Sequence, residues 1–248
     1  MTATPHSHLC RYTTDAVLYR SENLVDSLIG KVSFVDVFFR QAFQRQLGDG
    51  ERRIVDAVLV TLMEHGLTPS AIAARMVYSS SPENIQAGVA AGLLAVGSRF
   101  VGTMEDAATL LKRIIDAPDG RAEAAEIARE SRRRKAAVPG FGHHLHKPDD
   151  PRAIALLDLA KETGTAGSFV TALRLLATEI DAAAARHITI NATGAVAAVL
   201  GDIGVPTRLM RGFAVLSRAA GLIAHIAEEQ VDPTDRFIWD LVDRSLSG

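Results

Sequence analysis

Three imidazoles lie within four positions, at His143, His144 and His146, in the segment VPGFGHHLHKPDDPR over 138–152. Imidazole titrates near neutral pH, so such a group suits proton transfer, hydrogen-bond donation or metal ligation. The spacing does not fit a helical HExxH zinc site, and solvated loop histidines are the plainer alternative. Pro139, Gly140 and Gly142 bend the backbone just before His143, and a sharp loop of this kind exposes amides and fixes a ring. Arg152 follows Pro151 at a predicted helix start, where its fork suits a carboxylate. The competing role is an ion pair with Asp149 or Asp150. Arg218 sits in LSRAAGLIAH, an otherwise apolar helix, where a guanidinium requires a carboxylate partner or an anionic ligand. His65 stands at a break between two helices in MEHG, and a structural role competes there with ligand contact. The basic run Arg132–Lys135 is either a solvated helix face or an attractor of phosphate.

These residues must be positioned by helices. Of 248 residues, 48% are hydrophobic, 23% charged and only 5% aromatic, which predicts a globular all-α fold with a filled core. Stripes at helical spacing predict helices over 54–63, 105–117, 121–135, 153–162, 168–185, 192–200 and 207–229. Pro69 marks one further start and Ser81, as an N-cap, another. The charge-poor segment 85–96 predicts a buried helix, and Trp239 lies on an amphipathic tail. No fixed-period repeat is present. With 27 basic and 29 acidic residues, the formal charge of −2 argues against nucleic acid as a partner. One cysteine, Cys10, suits a reducing compartment. The sequence has neither a signal-like start nor an uncharged run of spanning length, so the expectation is a cytoplasmic protein without a membrane partner.

The run Pro139-Gly140-Phe141-Gly142-His143, with Lys147 and Asp150-Pro151-Arg152, resembles the PGFGH…K..DPR signature of the citrate synthase superfamily. Other blocks follow in the family's order. Tyr19 to Leu28 resembles its YRG..I.DL segment, and Glu64-His65-Gly66 its DHE or DHG block. Asn191-Ala192-Thr193-Gly194 resembles its NVD block, and Ser217-Arg218-Ala219-Ala220-Gly221 its SRA.G block. The match covers roughly 17–243. The HG form at His65–Gly66, the glycine closing the NVD-like block and the SRF.G segment at Arg99–Gly102 resemble the citryl-CoA lyase branch, which includes the C-terminal lyase module of ATP-citrate lyase. Phe100 stands where citrate synthases carry the histidine of an LHGGAN block.

The resemblance implies a citrate synthase-like helical fold. A large domain would comprise 1–104 and 194–248, a small domain 105–193, with the site in the cleft between them. It implies cleavage of a citryl-CoA-type thioester to acetyl-CoA and oxaloacetate. His65 and His143 would contact the oxaloacetate portion and Arg152 and Arg218 would clamp carboxylates, with His144 and Phe100 beside them. Val138, Gly140, Phe141 and Gly142 would lie near the CoA moiety. Coenzyme A enters as part of the substrate, with no permanently bound cofactor and no metal. Three positions depart from the family pattern. Thr193 replaces the catalytic Asp, His144 replaces an Arg, and Asp232-Pro233 stands at an Arg-Pro. In an active enzyme His143 or His144 would then accept the proton. The alternatives are an impaired homologue that binds acyl-CoA or di/tricarboxylates, a citrate synthase-type condensation, and a metal-dependent hydrolase using His65, His143, His144 and His146. The helices at 54–63 and 85–96 would pair in a homodimer, and a citryl-CoA-forming enzyme would be a functional partner.

Overall fold

A computed structural model describes residues 7–97 and 102–246, in two compact units, 1–56 and 57–248. The first unit opens with three short antiparallel strands in spatial order β1 (Cys10–Tyr12), β2 (Val17–Tyr19) and β3 (Glu22–Asn23). Arg20, at φ 54°, makes the tight turn between β2 and β3. A π-helical turn, Leu24–Leu28, follows, with the Asn23 side chain accepting from the Val25 and Asp26 amides. α1 (Phe34–Phe43) starts on Ser33, whose hydroxyl accepts from the Asp36 amide. Among the described residues, this sheet and an isolated bridge between Phe141 and Ile190 depart from a purely helical layout. Strands of two and three residues are too short to show an alternating pattern.

α2 (Asp49–Met63) crosses from the first unit to the second. The second unit then runs α3 (Pro69–Ser80), α4 (Ile85–Leu94), α5 (Thr103–Asp116), α6 (Gly120–Arg134), α7 (Pro151–Glu162), α8 (Ser168–Ala184), α9 (Ala192–Asp202), α10 (Thr207–Glu229) and α11 (Asp235–Leu246). The central element is α9. Its sequence, ATGAVAAVLGD, is uncharged until its last residue, and Ala192 and Gly194 through Leu200 are buried. Small residues on all sides let α5, α7, α8 and α10 close around it.

α10 is long and apolar enough to cross a membrane by length and composition. Here it packs on α3, α4 and α5 with Met210, Phe213, Leu222 and Ile226 buried.

Several local expectations are corrected. Ser81 closes α3; Asn84 caps α4, its side chain accepting from the Ala87 amide. α4 is not wholly buried: Gly88 and Gly92 are its buried residues, and Leu94 is 87% exposed. The two glycines let it pack closely, since a Cβ at Gly92 would strike the Leu222 side chain. Arg152 does not cap α7; Asp150 does, accepting from the Arg152 amide at 3.0 Å.

Candidate active site

The histidine-bearing loop joins α6 to α7, and its shape is set by two glycines in the left-handed region, Gly140 (φ 88°) and Gly142 (φ 80°). A Cβ on Gly140 would come within 2.9 Å of the Gly194 Cα, so the loop lies directly on the start of α9. Main-chain bonds fix it there. Gly142 N–H donates to the Thr189 carbonyl at 2.7 Å, and Asn191 N–H donates to the Gly140 carbonyl at 3.0 Å. The Asn191 side chain donates to the Gly142 carbonyl and accepts from the Gly194 amide, tying loop and helix start together.

Asp150, fully buried, anchors the other end of the loop. One carboxylate oxygen accepts from the Arg152 amide and from Nε, both at 3.0 Å; the other accepts from Arg152 Nη2 at 2.8 Å and from the Ala192 amide at 3.1 Å. Burial raises its pKa, but the bonds from Arg152 and Ala192 outweigh burial and hold the carboxyl below its usual range. The ion pair that competed with a ligand role for Arg152 is therefore present, to Asp150. It aims the guanidinium into the site as well, because Arg152 Nη2 also lies 3.4 Å from His143 Nε2.

His143 is held by its own backbone neighbours. Its Nδ1 accepts from the Leu145 and His146 amides at 3.1 and 3.0 Å. The neutral ring therefore carries its proton on Nε2, beside Arg152, so that two donors lie 3.4 Å apart. His144 and His146 stack on this ring at centroid distances of 4.7 and 4.4 Å, and His65 meets it edge-on at 6.2 Å. Burial and the neighbouring charges of His146, Arg152 and His144 lower the His143 pKa, against an opposing effect from Asp150. Burial and the charges of Arg152 and Arg218 lower that of His65. Both rings are neutral at pH 7.

His143, His146 and Asp150 offer three ligand atoms within 4.8 Å of one another. In this set the Asp150 oxygens already accept four hydrogen bonds and His143 Nδ1 accepts two, which leaves His143 Nε2 and the His146 ring as its open ligand positions.

The sequence-selected residues converge. His65, His143, His144, Arg152, Thr193 and Arg218 line one cavity of about 630 Å³. Arg218 is half-buried, and its buried Nη1 has no hydrogen-bond partner among the described residues. Burial lowers its pKa and the charge of Glu64 raises it; a guanidinium stays cationic regardless. Thr193 is the second residue of α9, its side chain in the cavity. Phe100 lies outside the described residues.

Val138, Phe141 and Gly142 line a second cavity of about 590 Å³, with Arg132, Lys135 and Arg186. Consecutive residues, Gly142 and His143, thus face different cavities. The Phe141 and Gly142 amides are bonded to Val138 and Thr189 carbonyls, so they are not exposed donors as expected; they shape the wall. Gly140 supports the loop against Gly194. Two residues take roles that sequence did not assign them, Asp150 as a buried anchor and Glu64 as a cavity wall. Their signals were the carboxylates inside the DPR and EHG blocks.

A citrate synthase C-terminal domain model matches residues 11–239. The chain belongs to this family. The citryl-CoA lyase of Hydrogenobacter thermophilus is 31% identical, with a TM-score of 0.83 covering 92% of this chain and 87% of that one. The ATP citrate lyase of Methanothrix soehngenii, solved with citrate and coenzyme A, shares the fold at 21% identity. Its TM-score is 0.76, over 93% of this chain and 39% of that one. A probable ATP-citrate synthase subunit 1 of Neurospora crassa is 24% identical over 243 residues, 90% of this chain and 36% of that protein. The chain therefore spans about a third of the length of that curated relative. The match bears out the citrate synthase-like helical fold expected from the PGFGH and DPR residues.

Proposed function

We propose that this chain is a citryl-CoA lyase-type enzyme that cleaves a citryl-CoA-type thioester to acetyl-CoA and oxaloacetate. The observation that carries this reading is the meeting of Arg152 and Arg218 in one cavity with His65 and His143. Two guanidiniums match the carboxylates of the citryl portion. His143 Nε2–H and Arg152 Nη2 are two donors 3.4 Å apart, a pairing that suits the oxygen that passes from hydroxyl to ketone.

The tautomer of His143 makes it a donor, so it does not serve as the proton acceptor. His65 is the better candidate, because burial keeps its ring neutral and no described residue bonds its ring nitrogens. In this mechanism His65 takes the hydroxyl proton. The bond between the carbinol carbon and the acetyl methylene breaks, and the electron pair passes to the thioester as an enolate. Return of the proton to the methylene carbon of the enolate yields acetyl-CoA, with no net change in protons. The Thr193 hydroxyl can donate a hydrogen bond but cannot act as a base at neutral pH.

The second cavity suits the CoA portion, with an apolar wall at Val138 and Phe141 and cations at Arg132, Lys135 and Arg186. Closure of a small domain, 105–193, on a large one, 1–104 with 194–248, would exclude water and belongs to the same proposal. A homodimer is supported by Leu94 on α4 and Val60 on α2, 87% and 70% exposed. A cytoplasmic setting is consistent with a single free cysteine, Cys10. Citryl-CoA would come from a separate activating enzyme.

Incubating the purified protein with citryl-CoA and following released oxaloacetate by reduction to malate tests the activity. No product beside an active control lyase overturns it. Thr193 favours a second reading, an impaired relative that binds acyl-CoA or di/tricarboxylates without turnover. Calorimetry with oxaloacetate, citrate and CoA thioesters then shows binding where the assay shows none.

A further inference from the structure

One stripe of α10 carries Arg218, Gly221, Leu222, His225 and Glu229, at spacings that place them on one face. This stripe packs against the end of α2 and the turn that bears His65. The Gly221 Cα faces the Met63 carbonyl so closely that a Cβ would collide with it. Ser217 Oγ donates to the Leu59 carbonyl one turn earlier. Behind the turn lies a buried polar cluster. Arg75, 1% exposed, donates through Nε to His225 Nδ1 at 3.1 Å and through Nη1 to Glu229 at 2.8 Å, and its Nη2 contacts Glu228. His225 is 7% exposed and does not line the cavity.

Because Nδ1 of His225 accepts from Arg75, its ring proton sits on Nε2. That nitrogen lies 2.8 Å from Glu64 Oε2, at an angle too bent for a well-aligned hydrogen bond. The other Glu64 oxygen accepts from the His65 amide at 2.7 Å and the Gly66 amide at 2.5 Å. Glu64 is also the carboxylate whose charge acts on Arg218. We propose that His225, oriented by Arg75, is a positioning residue that fixes Glu64, and through it holds the His65–Gly66 turn beside Arg218 in the acyl-binding cavity. The chain of contacts links a buried arginine on α3 to two groups that meet the ligand, and His225 touches neither of them. Against the opposing effect of burial, two backbone amides and the facing His225 hold the Glu64 carboxyl below its usual range, which makes it a poor base, so its part is to hold backbone and charge in place. The proposal rests on the reading of this cavity as the oxaloacetate site.

Three variants of the full chain test it. His225→Leu removes both ring contacts, and His225→Asn keeps a partner for Arg75 but is too short to reach Glu64. His225→Gln carries an acceptor and a donor spaced like the two ring nitrogens. Amide hydrogen exchange at His65 and Gly66, compared with core amides such as Leu222, is read together with oxaloacetate affinity by calorimetry. In the Leu and Asn variants, exchange at His65 and Gly66 should rise about tenfold, core exchange should hold, and affinity should fall roughly tenfold. The Gln variant should restore both. Folded Leu or Asn variants with unchanged turn exchange overturn the proposal, as does a Gln variant as impaired as Leu. If none of the variants folds, the position is structural and the proposal falls. A wild-type protein that binds no oxaloacetate removes the functional reading, while turn exchange still decides what His225 positions.

Discussion

Asp150 and Arg152, two residues apart, share two side-chain hydrogen bonds of 3.0 and 2.8 Å, and the same guanidinium reaches to 3.4 Å from His143 Nε2. One carboxylate thereby aims a cation, caps α7 and receives the first amide of α9. Asp150→Ala should therefore act on stability and site together. Loss of two caps and a partly exposed ion pair should cost about 3 kcal/mol in urea unfolding. Activity should fall further than stability accounts for, because Arg152 loses its aim.

Arg218 should show the opposite balance. Its guanidinium is half-buried and Nη1 has no partner among the described residues, so the folded chain is burdened by its desolvation. Arg218→Met should leave the thermal midpoint unchanged or raised, while oxaloacetate affinity falls roughly 100-fold. A variant that loses stability and keeps affinity would assign Arg218 to structure.

The lowered pKa values of His65 and His143 fix the sign of the acid limb. Burial, followed by neighbouring cations, disfavours the imidazoliums, so both rings stay neutral above the ordinary histidine value of about 6.5. The kcat/KM of the cleavage should be flat from about pH 6.5 upward through neutrality and should decline only below about pH 6.5. A decline that begins above pH 7 would contradict this.

His187 titrates in the other direction. Hydrogen bonds to Asp181 (2.7 Å) and then Asp149 (3.0 Å) raise its pKa and tie α8 to the loop that ends at Asp150. Because the folded value lies above the unfolded one, its stabilisation is complete below about pH 6.5 and is lost as pH rises through the folded value. The urea midpoint of the wild type should fall across that window more than that of His187→Ala. Equal slopes would show that the clamp adds nothing.

Thr193 lies in the first turn of α9, where a carboxylate is favoured by the helix dipole. Thr193→Asp should fold as well as the wild type and raise the cleavage rate by roughly 10²-fold or more, the usual contribution of an acid/base group. An unchanged rate measured under saturating citryl-CoA would show that Thr193 is not what limits the reaction.

Much of the helical frame was legible along the chain. The prediction of 207–229 coincides with α10, and the loop over 138–150 stands where prolines and glycines interrupt helical spacing. Helical periodicity is a local property, so it survives in one dimension. The reading of 85–96 as buried was overextended. Absence of charge does not distinguish a helix buried on every side from one that meets its neighbours through Gly88 and Gly92 and leaves Leu94 exposed. The β1–β3 sheet escaped notice because its strands are too short to alternate.

By itself the sequence determined the residue types of the site and their order, from His65 through the PGFGH run to Arg218, because chemistry at a family signature is written in contiguous blocks. Only the tertiary structure decided how those blocks act. It gave His143 its donor tautomer through the Leu145 and His146 amides, turned Asp150 from a surface acid into a buried anchor, and set Glu64 between His225 and the His65 turn. Tautomer, burial and partner are properties of three-dimensional contact. His225 and Arg75, 150 positions apart, bond across α3 and α10, a pairing that linear spacing alone does not encode.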